Sequence, residues 1–271
     1  MEPGGTCLAD SLPEAEALRS PWRHRPSGGR KTPVLCKILY DMSVATQNVR
    51  RTSRPAWNKL IFWELLGRFT AGKRWLELGC GRGVTDPGLL SARQETHEEL
   101  YVGLDADWSS LTSAAAGNRV MADAASLPFR DGSFDVVSSD MVFEHLPRPG
   151  DVLHESWRVL RNRGTLVVHT SASLHYSLVI GRVLSTLLPR DTYVRLVSRF
   201  TGRSEADIFP TRYAANTMSK FGKIAYEAGF EVGFTAALET PIPPRSGAER
   251  FFRRLVPTLM KSTILAVYLK R

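Results

Sequence analysis

The stretch WLELGCGRG, residues 75–83, sets glycine at positions 79, 81 and 83 and keeps one carboxylate, Glu77, in the apolar run before them. Removing the side chain at every second position lets a ligand meet the main chain with no Cβ in the way. Nucleotide, dinucleotide and other adenosyl ligands all exploit such turns, so the spacing has to decide between them. A dinucleotide fingerprint needs glycine or alanine five positions after the first glycine, and Val84 stands there. A phosphate-cradling P-loop needs Gly-Lys-Ser/Thr, which does not follow these glycines. What remains is the pattern Glu-x-Gly-x-Gly-x-Gly at Glu77, Gly79, Gly81 and Gly83.

A turn of this kind works only at the end of a strand that is itself held in a covered sheet. Short β-like runs recur along the chain at 74–79, 100–105, 119–124, 134–140, 164–170, 230–239 and 262–270. Helical patterns separate them. WNKLIFWELLGRF (57–69) has helical spacing with Pro55 near its start, and DVLHESWRVLRN (151–162) carries Val152, Leu153, Trp157 and Leu160 on one face. NTMSKFGKIAYEAGF (216–230) reads as a further helix, with Asn216 as N-cap and Gly229 as its stop. Alternating strands and helices predict an α/β fold, a largely parallel doubly wound sheet covered on both faces. One segment breaks the rhythm: residues 174–215 insert about forty residues before the sixth strand, too many for a simple connection and enough for a lid or substrate wall.

The chain's 271 residues, 43% apolar and 23% charged, suit one sizeable folded domain. Residues 1–35, rich in Gly, Pro, Ser and Arg, read as a flexible leader, and 36–271 as the domain. Three cysteines without regular spacing (Cys7, Cys36, Cys80) make a disulfide framework a poor fit. Cys80 reads as a small packing residue. The longest apolar stretch, LVIGRVLSTLL, is short for a membrane span and is broken by Arg182. These features together point to a cytoplasmic protein. Of the net charge of +9, residues 1–35 carry +1, 36–170 carry 0 and 171–271 carry +8. Such asymmetry predicts an anionic partner or surface near the last hundred residues.

The glycine pattern resembles the first motif of the class I S-adenosylmethionine-dependent methyltransferases. The resemblance accumulates in order over residues 70–172 and, more loosely, over the last two strands. YVGLDAD places Asp105 and Ala106 at the end of the second strand, 26 residues after Gly79. There the resemblance implies a carboxylate that accepts both ribose hydroxyls. MADAASLPFRDGSFDVVSSDMVFEHL is similar to the third and fourth strand region, with Asp123 and Ala124 as the pair beside the adenine. Ser139 and Asp140 fall where the fourth strand meets the cofactor. The implied fold is Rossmann-like, with seven strands of which the last is antiparallel, and the implied cofactor is S-adenosyl-L-methionine. On that reading the bound sulfonium and ammonium explain Glu77, because an acid inside the turn suits a cation and works against the phosphate that helix N-termini usually receive.

Methyl transfer from a sulfonium releases a neutral thioether, so the enzyme chiefly aligns and desolvates the nucleophile. A hydroxyl acceptor also needs a base. His145, just past the fourth strand, is the candidate general base. His169, His175, Tyr176 and Tyr213 are further candidates for touching acceptor, and Trp108 for flanking the adenine or packing in the core. Arginines interleaved with apolar residues at Arg182, Arg190, Arg195 and Arg199, and again at Arg250, Arg253, Arg254 and Lys261, suit an amphiphilic acceptor or a peripheral membrane contact. Nucleic acid is a poor partner, since no recognisable module accompanies the charge. The expected activity is methylation of a small molecule (a glycan, lipid-linked or secondary-metabolite acceptor), on oxygen before carbon. The competing expectation is a non-catalytic binding or scaffold protein on the same fold.

Overall fold

A computed structural model describes residues 57–81, 98–112, 118–173, 176–201, 211–238 and 263–271. Gly83, the leader, His97, His175 and the basic positions Arg250 to Lys261 lie outside the described residues.

The elements run α1 (Trp57–Thr70), β1 (Arg74–Leu78), β2 (Leu100–Asp105), α2 (Trp108–Thr112), β3 (Asn118–Met121) and β4 (Phe134–Asp140). They continue with α3 (Pro149–Val159), β5 (Leu160–Ser171), α4 (Tyr176–Leu187), α5 (Arg190–Thr201), α6 (Met218–Glu227), β6 (Phe230–Leu238) and β7 (Thr263–Lys270). The strands form one seven-stranded sheet in the order β3-β2-β1-β4-β5-β7-β6. β1 to β5 are parallel, and β7 lies antiparallel between β5 and β6. The strand order reverses at β1 and β4, and ligands of such sheets enter the crevice outside the strands' carboxyl ends at that point. The glycine turn sits there.

Two-residue periodicity sends β1 side chains to both faces. Leu76 and Leu78 join Val152, Leu153, Phe221 and Ala225 under α3 and α6. Trp75 faces the other way, where α1 lays Ile61, Phe62, Leu65 and Leu66 over the sheet. Each such fully buried side chain contributes about 1.5–3 kcal/mol.

Three of the differences from the sequence reading have a visible cause. β3 stops at Met121 because Asp123 turns the chain, its Oδ1 accepting the Ala125 N–H at 2.9 Å. β5 begins at Leu160, four residues early, because Leu160 pairs with Phe134 before the register shifts to Thr165 opposite Val136. Thr217, not Asn216, caps α6: its side chain accepts the Lys220 N–H, while Asn216 is buried and binds Thr170 and Ser171 instead. Gly229 does stop that helix, at φ +97°.

Among the described residues the insertion carries two helices, α4 and α5, and Val183 and Leu187 of α4 are exposed. Its neck is closed, the Ser173 N–H donating to the Asn216 carbonyl at 2.8 Å. Among the described residues no helix is long and apolar enough to cross a membrane.

Candidate functional site

The two described glycines of the turn lack side chains for different reasons. Gly79 has φ +65°, and a Cβ there would collide with the Val142 side chain from the segment after β4. Gly81 has φ +53°, and a Cβ there would meet nothing within 4 Å among the described residues. Gly79 thus locks the turn against the protein, whereas Gly81 faces open space. Two bonds hold the turn to β2: Cys80 N–H to the Leu104 carbonyl at 3.0 Å and Gly81 N–H to Asp105 Oδ2 at 2.8 Å. Asp105 Oδ1 accepts the Asp107 N–H at 2.9 Å. Both oxygens retain a lone pair for a further donor. Cys80 is buried, as a packing residue should be.

Glu77 is 5% exposed, so it is not a solvated strand-end acid. The Tyr101 hydroxyl of β2 donates to its Oε2 at 2.5 Å. Ala106 and Trp108 extend into solvent beyond Asp105, and Trp108 at 63% exposure is no core residue. Between them Asp107 caps α2. The hydroxyls of Ser109 and Ser110, with their backbone N–H groups, hold its carboxyl down at about 2. Asp123 is exposed in the turn after β3 and Ala124 is buried beside it.

At the end of β4, neighbouring residues face opposite ways. Ser139, opposite Leu78 of β1 and Val168 of β5, is fully buried and its hydroxyl has no partner. Asp140 turns toward α1, and its Oδ1 meets His169 Nδ1 at 2.8 Å. Phe62 stacks on the imidazole with centroids 5.5 Å apart. Glu144 is buried on its own network, accepting from the Thr170 and Ser171 hydroxyls at 2.8 and 3.1 Å. Its carbonyl accepts the N–H groups of Arg212 and Tyr213, which brings Tyr213 to this edge at φ +50°. His145 lies half-buried in the same turn. Among the described residues no three His, Cys, Asp or Glu side chains stand together as metal ligands.

The sequence reading missed Tyr101, Asp107 and the Asp140–His169 pair. The run Asp-x-Ser-Ser at 107–110 was a readable cap signal; the other two depend on cross-strand register.

The open space at Gly81, the fixed Asp105 carboxylate and the orphaned Ser139 hydroxyl fit an adenosyl ligand carrying a polar tail. Fold and site together define a Rossmann-like transferase. The sequence profile of a family described as "Methyltransferase domain" matches residues 76–168. A Thermotoga maritima demethylmenaquinone methyltransferase is 30% identical over 59% of this chain and 70% of its own length. A Lactobacillus johnsonii demethylmenaquinone methyltransferase is 27% identical over 66% and 70%. A Haloferax volcanii methyltransferase solved with the Trm112 methyltransferase activator superposes with TM-score 0.55 at 16% identity, covering 86% of this chain and 96% of that one. The chain belongs to the class I methyltransferases. It is an S-adenosylmethionine-dependent methyltransferase.

Proposed function

We propose that the chain methylates a hydroxyl of a small molecule (a glycan, lipid-linked or secondary-metabolite acceptor), with carbon the second choice of atom. The observation that carries the cofactor half of this reading is the Asp105 carboxylate, tied to the Gly81 N–H beside an open backbone. Asp105 accepts the ribose hydroxyls and Ala106 lies beside them. Asp123 and Ala124 border the adenine, Glu77, Gly79, Gly81 and Gly83 receive the amino-acid tail, and Ser139 and Asp140 lie where β4 meets the cofactor. Bound S-adenosylmethionine supplies an electrophilic methyl group with a neutral leaving group, so no residue has to act as an acid. The chain's own tasks are to position the acceptor, exclude water and receive a proton.

His145 stands at the mouth as one proton acceptor. The α4–α5 pair, leaving the body between Ser173 and Asn216, forms a wall on the acceptor side, and its exposed Val183 and Leu187 beside arginines suit an amphiphilic acceptor. The basic last hundred residues suit a cytoplasmic enzyme that touches anionic acceptors or a membrane surface. Two relatives are named for a quinone, so quinones belong in the acceptor screen. The deciding experiment incubates the protein with cell extract and methyl-labelled S-adenosylmethionine and follows labelled products by mass spectrometry. A labelled hydroxyl is expected. A label only on carbon, nitrogen or protein, or no label at all, overturns the proposed acceptor class.

A further inference from the structure

We infer that His169, oriented by Asp140, is the base that takes the acceptor's proton, a role the reading above gives to His145; the inference rests on that reading of a hydroxyl acceptor. His169 is 2% exposed and sits on β5 directly opposite Asp140 of β4 in the sheet register. Asp140 Oδ1 lies 2.8 Å from Nδ1, and the far nitrogen, Nε2, is buried with no hydrogen-bond partner. A buried polar atom left unpaired costs about 1–3 kcal/mol, so a ring held this way without a partner needs a purpose. Among the described residues the ionisable side chain recorded against the ring is Asp140; α1 brings Phe62 onto its face, and Leu265 of β7 stands opposite His169 in the register.

The position supports the role. Asp140 ends β4 and His169 lies opposite it, two residues before the end of β5, near the same carboxyl edge as the glycine turn. A carboxylate on Nδ1 fixes the proton there and leaves Nε2 a bare lone pair aimed away from Asp140. His145 sits in a half-buried turn, whereas His169 is carried on a strand and clamped on both its ring and its edge. In the step itself the acceptor oxygen bonds to the methyl carbon, and the carbon–sulfur electron pair stays on the thioether sulfur. The hydroxyl proton passes to Nε2, and Asp140 stabilises the imidazolium that forms.

The test uses the full chain with S-adenosylhomocysteine bound and 15N-labelled histidine. Wild type at pH 8 should show His169 protonated on Nδ1 and bare on Nε2, and Asp140→Asn should reverse that tautomer. A proton on Nε2 in wild type overturns the inference, whatever the acceptor. With the labelled product from extract as readout, His169→Asn, whose amide N–H can still donate to Asp140, should lose at least ~100-fold in rate while binding S-adenosylhomocysteine within twofold. His145→Asn should lose less than tenfold. A His169→Asn variant with wild-type rate means the ring only packs, and overturns the inference. Failure of the wild type to label a hydroxyl, with the expected tautomer present, sinks the acceptor reading alone.

Discussion

The carboxyl ends of β1 and β2 and those of β4 and β5 belong to one sheet edge, yet they are built on opposite plans. At β1 and β2 the outer part of the edge is bare or open, with Gly81 without a side chain and Ala106 and Trp108 exposed, above the buried Glu77 and Cys80. At β4 and β5 polar side chains are buried and largely answer one another, as Glu144 does Thr170 and Ser171, and as Asn216 does Thr170. The first half makes room, and the second is held fixed. A site that admits a large cofactor yet aligns a small acceptor needs both.

Breaking the fixed half should cost the most stability. Glu144→Ala removes the acceptor of two buried hydroxyls and opens a cavity, so unfolding in urea should fall by about 3–4 kcal/mol. Glu144→Gln, which keeps one acceptor oxygen, should lose about half of that. Equal stability for Ala and wild type would show that the network is not what pins this edge.

In the open half the two glycines should separate. Gly79→Ala faces both the left-handed backbone and the Val142 side chain, and should cost about 2–3 kcal/mol. Gly81→Ala meets only the backbone penalty, about 1 kcal/mol, because its Cβ has room. Its larger effect should fall on cofactor affinity, read by calorimetry with S-adenosylhomocysteine. If the two variants lose the same stability, the distinction between a packed glycine and an open one is wrong.

Asp105→Ala tests the hinge of the open half. Removing a charged acceptor should weaken S-adenosylhomocysteine binding by about 1–3 kcal/mol. Unchanged affinity would move the ribose elsewhere on the edge.

The same contrast explains what the sequence disclosed. Backbone geometry leaves a local signature, so the glycine turn and the approximate places of the strands were readable from the sequence pattern, while Asp105 was singled out by family resemblance. β2 and β4 match their expected residues, since their ends coincide with turn signals. Side-chain pairing across strands leaves none. Glu77 needs Tyr101 24 positions away, and Asp140 needs His169 29 away, so neither partnership follows from any short pattern. Asn216 was misread for the same reason: it suits a helix cap locally, but the ends of β5 claimed its amide, and the next residue, Thr217, took the cap.

Trp108 carries the smallest predicted effect on stability and the finest discrimination. At 63% exposure it buries too little surface to stabilise the fold, so Trp108→Ala should leave unfolding within ~0.5 kcal/mol of wild type. It nevertheless begins α2, three residues after Asp105, where an indole can cover one face of a bound purine. Stacking of that kind is worth about 0.5–1.5 kcal/mol, so S-adenosylhomocysteine affinity should fall by roughly threefold to tenfold. A variant that destabilises the chain instead would assign Trp108 to packing, and the open half of the edge would then be narrower than Gly81 and Asp105 imply.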